Sequence, residues 1–279
     1  MYKILTKREL APNVKFIEVA AKDIAAKVQP GQFVILRLAE PGERIPLTVA
    51  DFNRAKGTIS IIFQEIGKTT KELGLLKERD SITNVVGPLG QPTHIAKVGT
   101  VVCVGGGVGT ASMYPITRAF KEAGNKVITI IGGRSKDYII WEKEIEAISD
   151  TLIVTTDDGS YGEKGLVTKP LEEMIRKSEK IDQVIAIGPV IMMKAVSHLT
   201  KGCGIKTMVS LNPIMLDGTG MCGVCRVEVN NETKFACFHG PDFDGHQVNF
   251  DLLMHRLKTY PNEEKISLEK CENCRCGHN

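Results

Sequence analysis

The pattern of hydrophobic and polar residues changes its period near residue 100 of this 279-residue chain. Before that point, segments 14–20, 32–38 and 57–63 alternate or nearly alternate, and Pro-Gly and Lys-Gly pairs separate them. Alternation with a period of two, bounded by turn residues, is typical of short strands. The pattern therefore predicts a small antiparallel β-barrel over residues 1–97.

The middle of the chain alternates predicted strands with predicted helices. Strands are expected at 100–104, 126–131, 151–155, 183–187 and 206–211, and helices at 111–123, 138–148, 166–178 and 190–199. Such alternation indicates βαβ units and a parallel sheet. Residues 98–211 are therefore predicted to form an α/β domain.

The remainder of the chain is predicted to contain a loop rich in cysteine, a hairpin and one helix. Segments 225–229 and 234–237 flank Asn230 and Asn231, a pair that favours a tight hairpin turn. A helix is expected at 249–260. We therefore divide this part into a subdomain at 212–260 and a polar tail at 261–279.

Composition limits the classes of function. Hydrophobic residues make up 42% of the chain and charged residues 25%, which is ordinary for a soluble globular protein. A net charge of +3 is too small to favour nucleic acid or a membrane surface, and aromatic residues are scarce at 5%. No signal peptide and no apolar stretch approaching about 18–20 residues is recognised, so the cytoplasm is the expected location.

Clustered cysteines indicate a metal site. Four residues follow the spacing of plant-type [2Fe–2S] proteins, C-x4-C-x2-C with a distant fourth ligand, except that aspartate takes the first position: Asp217, Cys222, Cys225 and Cys237. Glycines at 218, 220 and 223 would let a tight loop fold around an inorganic core. A zinc-binding interaction module is the alternative, because a C-x2-C pair with further cysteines can hold zinc.

The other cysteines carry weaker signals. Cys103 and Cys203 are isolated and are predicted to be buried small hydrophobic residues. The tail ends in a C-x2-C-x-C-x-H run formed by Cys271, Cys274, Cys276 and His278. That run is compatible with a zinc or iron site and equally with a metal-free tail.

A glycine-rich turn joins the first strand and helix of the α/β region. It comprises Gly105, Gly106, Gly107, Val108, Gly109 and Thr110, whose amides suit a pyrophosphate. The strict G-x-G-x-x-G pattern is not met, and Arg134 lies where an acidic residue is expected. A turn without a ligand is the alternative. Gly188 and Pro189 follow a later strand, at the sheet edge where ligands bind.

The barrel region carries two polar segments of possible chemical use. The first contains Arg44, Pro46, Leu47 and Thr48, where an arginine can pair with phosphate and a threonine can bond a flavin edge. The second contains Gly67, Lys68, Thr69 and Thr70, which offer amides and hydroxyls to a pyrophosphate. An exposed arginine and a capped helix start are the alternatives for each segment taken alone.

Taken together, these segments resemble the ferredoxin–NADP reductase superfamily. The cysteine-bearing extension narrows the resemblance to the electron-transfer subunits of dihydroorotate dehydrogenase and sulfide dehydrogenase. It is most similar to the small subunit of NADH-dependent ferredoxin:NADP oxidoreductase. The segments that carry the resemblance are 43–48, 156–165, 217–225 and 240–251.

The resemblance implies three redox groups and no catalytic side chain. FAD is expected at the two barrel segments, with its ring near residues 44–48 and its pyrophosphate at 67–70. NAD(H) is expected across 105–110, with the nicotinamide near Gly188 and Pro189. A [2Fe–2S] cluster is expected at the four metal-ligand candidates, where Asp217 matches the bifurcating subgroup. Hydride transfer to flavin needs stacked rings rather than a general acid.

The resemblance also implies a heterodimer with a larger flavin and iron–sulfur subunit, and ferredoxin reached through that partner. The implied function is flavin-based electron bifurcation, with a sulfide or dihydroorotate dehydrogenase subunit as the alternative. Arg134 would suit the 2′-phosphate of NADP, but we follow the resemblance to NAD(H). Asp157 and Asp158 are expected either near this cofactor or in a solvated turn.

Overall fold

In the computed structural model, residues 1–276 are described, with side chains through residue 270. The described chain contains two seven-stranded sheets and a two-stranded hairpin. The predicted combination of an antiparallel barrel and a parallel α/β sheet is confirmed. Within residues 1–276, no helix is both long enough and apolar enough to cross a membrane.

The N-terminal sheet is antiparallel and forms a near-closed barrel, in the order β6-β1-β2-β5-β4-β3-β7. Alternate residues such as Ile17, Val19, Ile59 and Ile61 fill its core, because successive side chains of a strand point to opposite faces. Its elements are β1 (Tyr2–Ala11), β2 (Val14–Ala20), α1 (Lys22–Lys27), β3 (Phe33–Arg37), β4 (Ile45–Asn53), β5 (Thr58–Gln64), α2 (Lys68–Leu75), β6 (Ser81–Ile82) and β7 (Asn84–Leu89).

The second sheet has the order β11-β10-β9-β8-β12-β13-β16, and only its edge strand β16 is antiparallel. Its elements are β8 (Thr100–Gly106), α3 (Gly109–Glu122), β9 (Lys126–Gly133), α4 (Glu142–Glu146), β10 (Thr151–Thr156), β11 (Glu163–Lys164), α5 (Thr168–Arg176), β12 (Gln183–Ile187), α6 (Val190–Lys201), β13 (Lys206–Ser210) and β16 (Asp242–Asp244). Strands β8, β9 and β12 are almost entirely apolar, as expected for a sheet covered on both faces.

The C-terminal part folds back onto this sheet. Strands β14 (Arg226–Val229) and β15 (Glu232–Phe235) form the predicted hairpin. Asn230 and Asn231 both have positive φ, at 54° and 60°, as a two-residue primed turn requires. Helix α7 (Ala236–His239) then leads to β16, which pairs with β13, and α8 (Phe250–Arg256) and α9 (Pro261–Cys276) follow.

Three predicted helices are shorter in the structure than the pattern indicated, and one of them is α5, which spans Thr168–Arg176 instead of 166–178. Helix α4 begins after Trp141, which has a left-handed φ of 53° and interrupts the helix expected from residue 138. Helix α8 ends at Arg256 instead of residue 260, and begins at a cap where Asn249 Oδ1 accepts from the Leu252 amide at 3.0 Å.

The predictions for the other cysteines and the tail also need correction. Cys103 is buried as predicted, but Cys203 is exposed, because it lies in the turn after α6. The tail continues as helix α9, and its Ser267 hydroxyl donates to Glu43 Oε1 of the barrel at 2.8 Å. The side chains of Cys271, Cys274 and Cys276, and all of His278, lie outside the described residues.

The barrel packs directly against the first helix of the second sheet. Phe16, Ala50 and Ile62 of the barrel share one apolar cluster with Ala111 of α3. At its edge, Arg118 Nη1 of α3 pairs with Asp51 Oδ1 of β4 at 2.8 Å. This contact holds the barrel beside the carboxyl ends of the parallel strands, where ligands bind in open α/β sheets.

Candidate functional site

The main cavity lies where the barrel, the parallel sheet and the segment after β13 meet. Its volume is about 830 Å³, within the range that small-molecule and cofactor sites occupy. The barrel contributes Phe33 and Thr48, the sheet contributes its glycine turns, and the connecting segment contributes Asn212 and Met215. One cavity therefore touches all three parts of the chain.

The glycine turns converge because the strand order reverses between β8 and β12. The chain runs from β8 outward to β9 and β10 on one side, whereas β12 and β13 lie on the other. Gly105 at the end of β8 is the register partner of Ile187 at the end of β12. The reversal opens a crevice at their carboxyl ends, which is the usual ligand position in this class of sheet.

Most of the predicted dinucleotide turn faces this crevice. Gly106, Gly107, Val108 and Gly109 line the cavity, as do Gly188 and Pro189. Gly105 and Thr110 do not line it. A Cβ on Gly105 would come within 3.0 Å of the Thr110 Cα, and Thr110 itself is buried. Gly105 and Thr110 therefore support the turn on the side that faces away from the cavity.

Two positions of the turn favour glycine for different physical reasons, close packing at Gly109 and a positive φ at Gly107. A Cβ on Gly109 would lie 2.3 Å from the Ile187 carbonyl oxygen and 2.7 Å from the Gly188 Cα. Helix α3 can therefore approach β12 only with glycine at this position. Gly107 has a φ of +55°, and a Cβ there would meet no atom within 4 Å, so its backbone borders open space.

Another part of the cavity contains Asp157, for which the sequence left two places open, one near the cofactor and one in a solvated turn. Arg134 lines the cavity after β9, with its guanidinium 4.8 Å from the Tyr138 ring centre. Asp157, at the end of the neighbouring strand β10, also lines it and is exposed. The Asp157 amide donates to the Gly133 carbonyl at 3.1 Å, which fixes one loop against the other.

The next residue, Asp158, does not line the cavity, and its carboxylate bonds to Ser160 instead. Its Oδ1 accepts from the amide and the hydroxyl of Ser160, at 2.9 and 2.7 Å. These bonds hold the pKa of the Asp158 carboxyl below its ordinary value. Asp157 and Asp158 are thus neighbours in sequence with different surroundings, and only Asp157 faces the cavity.

The structure brings half of the first barrel segment to the cavity. Pro46 and Thr48 on β4 line it, joined by Gln64 and Ile66 from the end of β5. Leu47 instead packs on the barrel core, since successive residues of a strand face opposite sides. Arg44 is exposed before β4 and does not line the cavity.

The second barrel segment forms the start of α2. Thr70 Oγ1 accepts from the Gly67 amide at 3.0 Å and so caps the helix. The Thr69 hydroxyl donates to Glu43, and Lys68 Nζ lies 3.9 Å from the same carboxylate. Glu43 therefore ties this segment to the chain just before Arg44, but none of residues 67–70 lines the main cavity.

Two of the proposed cluster ligands meet in the interior. Cys225 Sγ and Cys237 Sγ are both buried and lie 3.2 Å apart, longer than a disulfide bond of about 2.05 Å. Cys225 directly precedes β14 and Cys237 follows β15, so the reversal of the chain in the hairpin brings the two cysteines together. Burial and the neighbouring Cys225 raise the pKa of Cys237 to about 12.

Asp217 and Cys222 lie on the exposed part of the same loop. Asp217 Oδ2 accepts from the Cys222 amide at 2.8 Å, and its Oδ1 accepts from the Thr219 amide at 2.8 Å. These bonds hold the pKa of Asp217 below its ordinary value. The charge of Asp217 also contributes to the raised pKa of Cys237.

The donor set fits an iron–sulfur cluster. Soft thiols and one ionised carboxylate border a loop in which Gly218, Gly220 and Gly223 have φ of 75°, 86° and 67°. Within residues 1–270, however, no three His, Cys, Asp or Glu side chains converge into a complete metal site. Asp217 is held by the loop's own amides, beside the exposed Cys222.

Comparison with known families supports these assignments of the chain's parts. Residues 103–198 match the family model described as the oxidoreductase NAD-binding domain. Residues 212–249 match the iron–sulfur cluster binding domain of dihydroorotate dehydrogenase B. The second match covers all four proposed ligands and favours iron–sulfur over zinc.

Relatives match nearly the whole chain. A Thermotoga maritima protein named as a dihydroorotate dehydrogenase B (NAD(+)) electron transfer subunit homolog is 49% identical over 268 residues, which cover 96% of this chain and 94% of the relative. The electron transfer subunit of that enzyme from Desulforamulus reducens is 32% identical over 254 residues, covering 88% and 96%.

A solved structure of an NADH-dependent reduced ferredoxin–NADP oxidoreductase, studied for flavin-based electron bifurcation, superposes with a TM-score of 0.92 at 48% identity. It covers 97% of both chains. The resemblance inferred from the motifs is thereby confirmed, as is the oxidoreductase class. The chain belongs to the family of dihydroorotate dehydrogenase B electron transfer subunits.

Proposed function

We propose that this chain is the NAD(H)- and flavin-binding electron-transfer subunit of an electron-bifurcating NADH-dependent ferredoxin:NADP oxidoreductase. The observation that carries the proposal is the single cavity of about 830 Å³ that the barrel, the nucleotide-binding sheet and the segment before the cysteine loop line together. Electron transfer between three centres needs such a shared boundary. The similarity over 97% of the bifurcating oxidoreductase chain supports the same proposal.

The residues of this chain act mainly by binding and orientation. When bound, the flavin supplies hydride exchange with the nicotinamide, and the [2Fe–2S] cluster supplies single-electron transfer. The amides of Val108 and Gly109 at the start of α3 hold the NAD(H) pyrophosphate, whereas the Gly107 amide already donates to the Gly132 carbonyl at 2.8 Å. Gly188 and Pro189 border the nicotinamide position, and Pro46 and Thr48 face it from the barrel.

The further proposed contacts complete these sites. Residues 67–70 bind the flavin pyrophosphate from outside the main cavity, where Lys68 is held beside Glu43, and Arg44 begins the segment 44–48 that holds the flavin ring. Asp217, Cys222, Cys225 and Cys237 ligate the cluster. A larger subunit with its own flavin and iron–sulfur centres receives the electrons in a heterodimer and reaches ferredoxin, which the naming of the relatives as electron transfer subunits supports.

Purification of the native complex tests the proposal directly. We expect a brown-yellow protein with flavin and iron–sulfur absorbance that copurifies with a larger subunit. NADH should bleach the flavin band under anaerobic conditions, and reduced ferredoxin together with NADH should drive NADP⁺ reduction. A colourless, zinc-containing protein would contradict the proposal.

A second candidate follows from the names of the relatives. The electron transfer subunit of dihydroorotate dehydrogenase B would use the same cavity and cysteine loop but a different partner. The native complex discriminates between the two. Reduction of NAD⁺ by dihydroorotate, without ferredoxin-dependent NADPH formation, would establish the second function and reject the first.

Asp157 is expected to select NAD(H) over NADP(H). Its carboxylate lines the cavity beside Arg134, at the end of the strand next to β9, and can accept a hydrogen bond from a ribose hydroxyl. Asp157→Asn should weaken NADH use by about tenfold, or ~1.4 kcal/mol, and improve NADPH use because a repelling charge is removed. Steady-state kcat/KM for both nucleotides measures this.

Asp158→Asn is the matched control for this change. Its carboxylate is bound by Ser160, so the nucleotide preference of this variant should stay as in the parent protein. An equal loss of NADH and NADPH use in Asp157→Asn would show a general effect on the loop and reject the role of Asp157 in selection.

A further inference from the structure

Asp242 has an unpaired oxygen at the junction of the three parts of the chain. It lies on β16 opposite Ser210 of β13, and its Oδ2 accepts from the Thr93 hydroxyl at 2.5 Å. The residue as a whole is half-buried, but Oδ1 is inaccessible to solvent and has no hydrogen-bond partner. Among the described side chains, no other buried nitrogen or oxygen lacks a partner.

Asp242 lies where the barrel, the parallel sheet and the cysteine-bearing subdomain meet. The proposed electron path runs through these three parts of the chain. Thr93 belongs to the segment that leaves the barrel, and Ser210 lines the main cavity. Asp242 itself follows Cys237 by five residues. The flanking backbone is bonded on both sides, with the Leu211 amide donating to Pro241 at 2.9 Å and the Gln91 amide donating to Gly240 at 2.6 Å.

The groups that face Asp242 are uncharged. Hydroxyls contact it from β13 and from the segment after the barrel, and the Gly31 backbone closes the third side. The titratable groups in these elements are His94, Lys97, Lys206 and Asp244, all of which are exposed. In the described part of the chain, no hydrogen bond or ion pair joins any of the four to Asp242.

An ionised carboxylate in this setting is poorly stabilised. Burial raises the pKa of Asp242 from its ordinary value of 3.8 to about 6, although the hydrogen bond that the Thr93 hydroxyl donates to Oδ2 acts in the opposite direction. The folded chain thus binds this proton more tightly than the unfolded chain. The free energy of unfolding therefore falls as the pH rises from about 4 to about 6 through this group.

We propose that Asp242 takes up one proton from solvent for each electron that enters the iron–sulfur module. The inference rests on the proposed function, since it needs that module to be reduced. One electron from NADH or another reductant adds one negative charge, and one proton on Oδ1 cancels it. A buried carboxylate without cationic partners responds strongly to added negative charge, because little solvent screens the interaction.

Redox titration of the native complex, followed by the EPR signal of the reduced cluster, tests this coupling. The cluster potential should be constant below about pH 6, where Asp242 already holds its proton, and fall at higher pH. One proton per electron changes the equilibrium constant tenfold per pH unit, which is about 59 mV. The Asp242→Asn complex should show a constant potential throughout.

Two further variants make the result specific. Asp244→Asn, on the same strand but exposed, should keep the parent slope. Thr93→Val removes a hydrogen bond that stabilises the carboxylate, so it should move the onset of the slope to higher pH. This variant also carries the test if Asp242→Asn fails to fold.

The outcomes separate this inference from the proposed function. A native complex without any cluster signal would reject the proposed function itself. A cluster signal with a pH-independent potential in the parent complex, or an unchanged slope in Asp242→Asn, would overturn only the role of Asp242.

Discussion

Cys225→Ser is expected to abolish the iron–sulfur absorbance and the EPR signal of the chain while leaving its flavin in place. Cys225 is buried, and its sulfur is 3.2 Å from that of Cys237, so the substitution removes one of the two thiols that meet in the interior. Serine is a shorter and harder donor than thiolate and holds iron poorly. Visible absorbance, EPR and iron content of the purified complex measure the loss.

Cys203→Ser is the matched control. Cys203 is exposed after α6, away from the loop, so this variant should keep its full iron content. Thermal unfolding of the apo chain gives a second check, because a buried hydroxyl without a partner costs about 1–3 kcal/mol. Retention of a normal cluster in Cys225→Ser would remove this residue from the proposed ligand set.

Gly109→Ala is expected to have the largest effect on NADH use. Its new methyl group would lie 2.3 Å from the Ile187 carbonyl oxygen and 2.7 Å from the Gly188 Cα. Both neighbours are backbone atoms, so the turn at 105–110 and the turn at 188–189 must move apart. A displacement of about 1 Å at a reacting centre can reduce the rate by about 100-fold.

We therefore expect kcat/KM for NADH to fall by about 100-fold, together with a stability loss of about 1–3 kcal/mol from overpacking. Stopped-flow reduction of the flavin by NADH, with urea unfolding in parallel, measures both effects. Reduction by dithionite should be unchanged, because it does not require the dinucleotide site.

The control for this substitution is Gly202→Ala. A Cβ at Gly202 would meet no atom within 4 Å, and its φ of −63° is ordinary for alanine. Its stability should change by less than about 1 kcal/mol, with normal NADH kinetics. Similar kinetics in both variants would contradict the assignment of the glycine turns to NAD(H).

Much of the local structure was predictable from neighbouring residues. The alternation in 14–20 indicated β2, and the apolar runs at 126–131 and 183–187 indicated buried strands. Asn230 and Asn231 specified the hairpin because asparagine tolerates positive φ better than most residues. In the structure, this hairpin returns Cys237 to the side of Cys225.

Other features required knowledge of distant segments. The pattern around 138–148 continues like a helix, but the packing of Trp141 on Tyr114 and Phe16 places a left-handed residue in its path. Arg44 and Thr48 share one motif, yet only Thr48 reaches the cavity. A linear motif records spacing and not the direction in which each side chain points.

The sequence by itself determined the strand and helix periods, the hairpin turn and the spacing of the proposed ligands, because each depends on residues a few positions apart. The tertiary structure alone decided which residues share a buried space. It placed Asp157 at the cavity and enclosed Asp242 beside Thr93, which is 149 positions away. Burial and the pKa of a carboxyl depend on such remote neighbours, and no local pattern encodes them.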